Sequence, residues 1–154
     1  SVFIMKYLIS TIGKMKTSPE AKIFNEYSKR IKDLTLLEYV SRFPKGKKRI
    51  SDETEKLSSI SNKNDKNVLL DPLGKILSSD EFALILSKWK NEGTYRVNFI
   101  IGGAEGVEEK LKNDVDLVLS FSKMIFPHML SRIILIEQIY RAEAIISKHP
   151  YHRS

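Results

Sequence analysis

Five short apolar runs, each separated from the next by a segment of helical period, constrain this chain more than any other feature. The runs occupy residues 6–12, 34–40, 67–71, 95–101 and 115–119. They are too short for helices and are bounded by Gly, Pro or Asp, as buried strands are. Between them, Ser18-Pro19-Glu20 opens a helix as N-cap, first helical residue and first-turn acid. That helix carries Ile23, Phe24, Tyr27 and Ile31 at helical spacing and is expected to end near Asp33. A polar helix is predicted from Ser51-Asp52-Glu53 to about Lys63, preceded by a basic loop. Ser78 or Ser79 caps a third helix, with Asp80 and Glu81 in its first turn and Phe82, Leu84, Ile85, Leu86 and Trp89 on its apolar face. A fourth, polar helix runs through Lys112, and a fifth of some five turns runs from His128 to about Lys148. Strands alternating with helices predict an α/β fold with a mostly parallel sheet and helices on both faces. In such sheets ligands bind outside the carboxyl ends of the strands. Pro72 and Gly74 are expected to turn the chain after the third strand, so three loops qualify: 71–75, 102–106 and 120–128.

The length of 154 residues suits one domain, spanning 1–154, with a core that needs no staples. There is no cysteine, which excludes structural disulfides, thiolate metal sites and cysteine nucleophiles. The longest apolar stretch, 133–146, is broken by Glu137, Gln138, Arg141 and Glu143, so no membrane span is expected. The start, SVFIMKYLIS, reads as a first strand rather than a signal peptide, with Met5 a natural start and Ser1 to Ile4 a leader or artificial residues. The net charge of +7 favours an anionic partner, nucleic acid first. Arg42, Lys45, Lys47, Lys48 and Arg49 cluster around a Pro and a Gly; such a run is either a solvated surface or a phosphate contact.

IIGGAEG, at 100–106, is a glycine-rich turn between a strand and a helix, where a ligand can approach main-chain N–H groups. It lacks the dinucleotide pattern G-x-G-x-x-G and the G-K-[ST] of a P-loop. A structural turn and a ligand loop both remain open, and Glu105 suits a cationic ligand or hydroxyls better than a phosphate. His149 and His152 straddle Pro150 without a carboxylate nearby, so no metal is expected. The fifth helix is apolar on most sides yet carries Arg132, Glu137, Gln138, Arg141 and Glu143. Glu137 and Arg141 stand four apart and can pair. A second subunit is the natural source of the remaining burial, so a homodimer through this helix is expected. The tail, KHPYHRS, reads by itself as a free terminus. The polar stretch VLSFSKMIFPH, between a buried strand and a buried helix, sits where an α/β protein places its ligand.

Taken together, these segments resemble the RlmH (YbeA-like) family of SPOUT-class methyltransferases. The resemblance rests on MKYLISTIGKMK, LLDPLGK, FIIGGAEG, LSFSKMIFPHMLSRIILIEQIYRA and the terminal PYHR, and covers about Met5 to Arg153. It implies a homodimer whose C-terminal part forms a deep trefoil knot. It implies S-adenosylmethionine held by Leu70, by Gly102 with Gly103, and by Leu119, Ser120, Phe121, Ser122, Lys123 and Met124, the last group wrapping the adenine through main-chain atoms. The implied reaction is methylation of N3 of a pseudouridine in helix 69 of 23S rRNA in the assembled 70S ribosome, in the cytoplasm. No metal or covalent nucleophile is required. His128 and Arg132 are assigned to the pocket wall. Tyr151, His152 and Arg153 are assigned to the catalytic tail, ordering on the RNA, in one arrangement at the partner's site. The segment 45–60 follows the family pattern loosely. Another rRNA or a tRNA target, or a non-catalytic ribosome-binding role, remains open at this point.

Overall fold

The computed structural model describes residues 3–153. Among these, β1 (Lys6–Ile12), β2 (Leu34–Tyr39), β3 (Lys66–Ile76), β4 (Arg96–Ile101) and β5 (Leu117–Ser120) form one sheet. The order is β2-β1-β4-β3-β5, and every neighbouring pair is parallel. The connecting helices are α1 (Pro19–Ser28), α2 (Lys47–Ile60), α3 (Ser79–Asn91), α4 (Glu109–Asp114) and α5 (His128–Ile146). None is long and apolar enough to cross a membrane.

Side chains alternate between the two faces of a strand, and that alternation splits the core in two. Tyr7 and Ile9 of β1, with Val97, Phe99 and Ile101 of β4, pack against Phe24 of α1, Phe82 and Leu86 of α3, and Leu135, Ile136 and Ile139 of α5. On the other face Ile12, Leu69 and Ile100 meet Leu57 of α2 and Leu111 of α4. That second face also carries a buried polar row across three strands. Ser10 donates to the Asn98 side-chain oxygen at 2.7 Å, Asn98 donates to Asn67 at 3.2 Å, and Asn67 donates to the Asn62 carbonyl at 3.0 Å. Each member has a partner, so the row escapes the cost of an unsatisfied buried group.

Three sequence expectations are corrected. Helix α2 starts at Lys47, not Ser51, so Lys47, Lys48 and Arg49 lie in its first turn rather than in a loop. Burial of Thr54 and Leu57 carries that helix, and propensity at its polar start gave no sign of it. Helix α1 stops at Ser28, and the chain reaches Asp33 through turns, Asp33 itself at φ 54°. Strand β3 does not end at Asp71. After a register shift beyond Leu70 it pairs again with β5, Lys75 with Leu119 and Ile76 with Ser120. Pro72 falls in the irregular part, where its missing N–H is harmless. Gly74 permits the second pairing, since a Cβ there would stand 2.7 Å from the Val118 carbonyl.

Gly74→Ala is therefore expected to cost about 1–3 kcal/mol through overpacking against backbone. Urea denaturation would show a lower midpoint at an unchanged slope.

Candidate functional site

A cavity of about 430 Å³ opens at the irregular part of β3 and the ends of β4 and β5. That size fits a small ligand or cofactor. Three segments wall it: Leu69 to Pro72, the glycine turn after β4, and the stretch from Leu119 to His128. The last two are loops singled out in the sequence; of the first, 71–75, only Asp71 and Pro72 reach the wall, within β3 rather than a loop, and the three lie side by side because β4, β3 and β5 are neighbours in the sheet.

The glycine turn is held from behind and bare in front. The Gly106 N–H donates to the Gly103 carbonyl at 2.9 Å, closing the turn. A Cβ at Gly102 would lie 2.7 Å from the Val107 side chain, and one at Gly103 would lie 2.7 Å from the Glu53 carboxylate. Substitution at either position forces a neighbour to move, and the main chain itself forms this wall. The last loop is fixed by its own serines. Ser120 donates to the Ser122 carbonyl at 2.9 Å, and the Ser122 hydroxyl accepts the Met124 N–H at 3.0 Å. Pro127 then caps α5, and His128 is its first residue.

His128 reaches back to the glycine turn, its Nε2 lying 2.9 Å from the Gly102 carbonyl. Burial holds its pKa below the ordinary value; the nearby Arg132 charge lowers it further, and the Gly102 bond only partly offsets both. The neutral ring must donate from Nε2 to that carbonyl, which leaves Nδ1 as the acceptor.

Of the sequence-assigned residues, Leu70, Gly102, Gly103, Leu119, Phe121, Ser122, Met124 and His128 line the cavity. Ser120 and Lys123 do not: Ser120 is buried with its hydroxyl turned to the loop, and Lys123 is exposed. Arg132 is not in the wall either. It is completely buried, and its guanidinium donates to Glu38 at 2.6 Å and to the Ile12 and Gly13 carbonyls at 3.0 and 2.9 Å. One turn into α5 the helix already lies against the ends of β1 and β2, and the charge is consumed there. Glu38 also accepts the Met15 N–H at 2.7 Å. Glu38 was missed in the sequence, because nothing in LTLLEYV marks a carboxylate whose partner lies 94 residues away.

Tyr151, His152 and Arg153 lie at the other end of α5, whose 19 residues span about 28 Å. Within one chain they are not brought to the cavity. Nor is the tail free, as it reads in isolation. Tyr151 packs edge-on to Tyr140 at 4.7 Å between ring centres and donates to Glu137 at 2.7 Å. Glu137 and Arg141 pair as the spacing predicts, at 2.8 Å. Burial alone would raise the Glu137 pKa, but the Arg141 and Tyr151 hydrogen bonds outweigh it and hold the carboxyl below its usual range. His152 bonds Arg141 at 3.1 Å and sits 3.1 Å from Asp80, while Arg153 is exposed. Among the described residues no group of three or more His, Asp or Glu side chains is placed to hold a metal ion.

A family model described as "Predicted SPOUT methyltransferase" matches residues 5–152. Curated relatives that bear the name Ribosomal RNA large subunit methyltransferase H include the following three. The protein from Paramagnetospirillum magneticum is 38% identical, over 97% of this chain and 99% of its own. That from Paracoccus denitrificans is 35% identical over 97% and 99%. That from Rhodospirillum centenum is 36% identical over 97% and 100%.

Two outcomes follow from the geometry. Arg132→Met leaves the Glu38 charge and two strand-end carbonyls without their donor, and is expected to lose about 3–5 kcal/mol in urea denaturation. His128 has a folded pKa below its unfolded value near 6.5. Its contribution to stability is complete above pH 6.5 and is lost as pH falls through the folded value. The acid-side slope of stability against pH should flatten in His128→Gln.

Proposed function

The chain belongs to the SPOUT methyltransferase family, and from that premise we propose that it methylates large-subunit ribosomal RNA with S-adenosylmethionine. The target proposed is N3 of a pseudouridine in helix 69 of 23S rRNA, on the assembled 70S ribosome in the cytoplasm. The observation that carries the reading is the meeting of Leu70, the bare Gly102–Gly103 main chain and the 119–124 loop in one cavity.

The donor set fits such a cofactor. Leu70, Leu119 and Phe121 offer apolar walls to an adenine, and main-chain groups between them offer hydrogen bonds to its edge. S-adenosylmethionine supplies a methyl group already activated as a sulfonium. The residues around it align that methyl group with the incoming base and exclude water. His128, neutral and anchored on Gly102, keeps the first turn of α5 against the cavity and presents Nδ1 as an acceptor.

The chain is proposed to act as one domain whose C-terminal part is threaded as a deep trefoil knot. In support, the chain leaves the sheet at the β5 edge and returns in α5 past the glycine turn to the end of β1. A homodimer is proposed as well. The tail's assigned role needs Tyr151, His152 and Arg153 at a cavity, and their own lies one helix length away. A second copy supplies the tail from the opposite direction. Met124, Ile125 and Leu130 are exposed near the cavity and offer apolar surface for that contact. RNA affinity is assigned to the basic segment from Arg42 to Arg49, mostly exposed and now partly helical.

Methyl-labelled S-adenosylmethionine offered with 70S ribosomes, 50S subunits, naked 23S rRNA and tRNA, all from cells lacking the activity, tests the reading. Label is expected in 23S rRNA of assembled ribosomes; label confined to tRNA, or none at all, overturns it. Log activity should fall linearly with log salt, and Lys47→Glu with Lys48→Glu should weaken ribosome binding by at least tenfold. Arg153→Ala and Gly103→Val chains, each inactive alone, should recover part of the activity when co-expressed, because one mixed site per dimer is intact.

A further inference from the structure

Behind the glycine turn lies a carboxyl group that the preceding account does not use. Glu53, on α2, is 5% exposed. Among the described residues it has no hydrogen-bond or ion-pair partner; only burial and the fields of nearby charges act on it. Its Oε1 comes within 2.7 Å of where a Cβ on Gly103 would stand, and Gly103 forms the cavity wall on its other side. The next residue, Thr54, is fully buried, and its hydroxyl accepts the Glu108 N–H at 3.0 Å. Helix and loop are thereby fastened together, and the carboxyl is held against the turn.

The charged groups that face it are few. Asp52 and Arg49 share its helix, Glu105 lies on the turn, and His128, neutral, touches the same turn from α5. Three carboxyls thus stand against one guanidinium. Burial raises the Glu53 pKa; Arg49 opposes this, while Glu105 and Asp52 add to it. The side chain is mostly buried, but its oxygens are not sealed from solvent in the free protein. A positive charge arriving across the turn is attracted to the carboxylate and need not touch it, because the field is weakly screened across a single layer of backbone. A group kept for shape alone would do as well with an amide in its place.

We infer that Glu53 is a specificity-determining residue: its charge behind Gly103 makes the cavity prefer the cationic sulfonium donor to the neutral thioether product. The inference rests on the S-adenosylmethionine reading of the cavity. In the reaction the S–CH3 bond breaks and its electron pair stays on sulfur, which becomes a neutral thioether. The N3–CH3 bond forms as N3 gives up its proton, which leaves to solvent water. The site loses one positive charge on the ligand, and with it the interaction that held the donor. Glu53 then favours exchange of product for fresh donor without taking part in the bond changes.

The test is calorimetric titration of the purified full chain, without RNA, with three ligands: S-adenosylmethionine, S-adenosylhomocysteine, and an analogue carrying an amine in place of the sulfonium. Glu53→Gln keeps the shape and removes the charge. It is expected to weaken the two cationic ligands about tenfold, as for a unit charge roughly 12 Å away at an effective dielectric of about 20, and to change the thioether less than twofold. Arg49→Gln, on the surface side, should shift the ratio the other way. Should Glu53→Gln fail to fold by circular dichroism, the Arg49→Gln ratio decides alone. Equal weakening of all three ligands, or an unchanged ratio in both variants, overturns the inference while leaving the cofactor reading intact. A wild-type chain that binds none of the three overturns both.

Discussion

One buried guanidinium organises the end of this sheet on which everything else rests. Arg132 sits within α5, yet its three partners lie on β2 and at the end of β1: the Glu38 carboxylate and the Ile12 and Gly13 carbonyls. These carbonyls lie at or just beyond the end of β1. Arg132 supplies donors there and fixes how far the first turn of α5 lies from the sheet. His128, one turn earlier, is set by the same placement and closes on the Gly102 carbonyl. A buried ion pair of this kind adds little net stability over an apolar substitute, but losing one partner is costly. Its consequence here is positional. The first turn of α5 cannot drift without stranding a charge.

The cavity beside it is made largely of backbone. Glycines at 102 and 103 let the main chain itself form the wall, because a Cβ there would strike Val107 or Glu53, and the serines at 120 and 122 bond locally. A site built from main-chain groups is defined by strand order more than by side-chain chemistry. It therefore depends on the parallel placement of β5 beside β3 and β3 beside β4. The bulge in β3 matters for the same reason, because it brings Lys75 and Ile76 back into register and holds the wall formed by Leu70 to Pro72.

Charge is distributed to match two different partners. The basic residues from Arg42 to Arg49 are mostly exposed and suit phosphates. Glu53, a few residues further along α2, is buried against the glycine turn and suits a cation. The first turns of one helix thus face two chemistries, with Arg49 between them. The tail adds a third arrangement. Its tyrosine and histidine are docked on α5 by Glu137 and Arg141, at the end remote from the cavity of the same chain.

What the sequence determined by itself is local. Short apolar runs and helical spacing marked every strand and helix, though one end each of α1, α2 and β3 lay elsewhere than expected. Their alternation gave the parallel sheet, and the glycines and the polar loop before Pro127 located the cavity wall. Those signals act over one or two turns of chain, so they survive without the fold. The tertiary structure alone decided where charges end. Arg132 reads as a wall residue in sequence and is spent on Glu38; Glu53 reads as part of a polar helix start and is buried behind Gly103. Tyr151 reads as a free tail and is seated against Tyr140. The first two depend on partners some 50 to 94 residues away, and Tyr151 on the way the tail folds back along α5. A buried polar group takes whichever partner the topology brings within about 3 Å, and no periodicity encodes that distance.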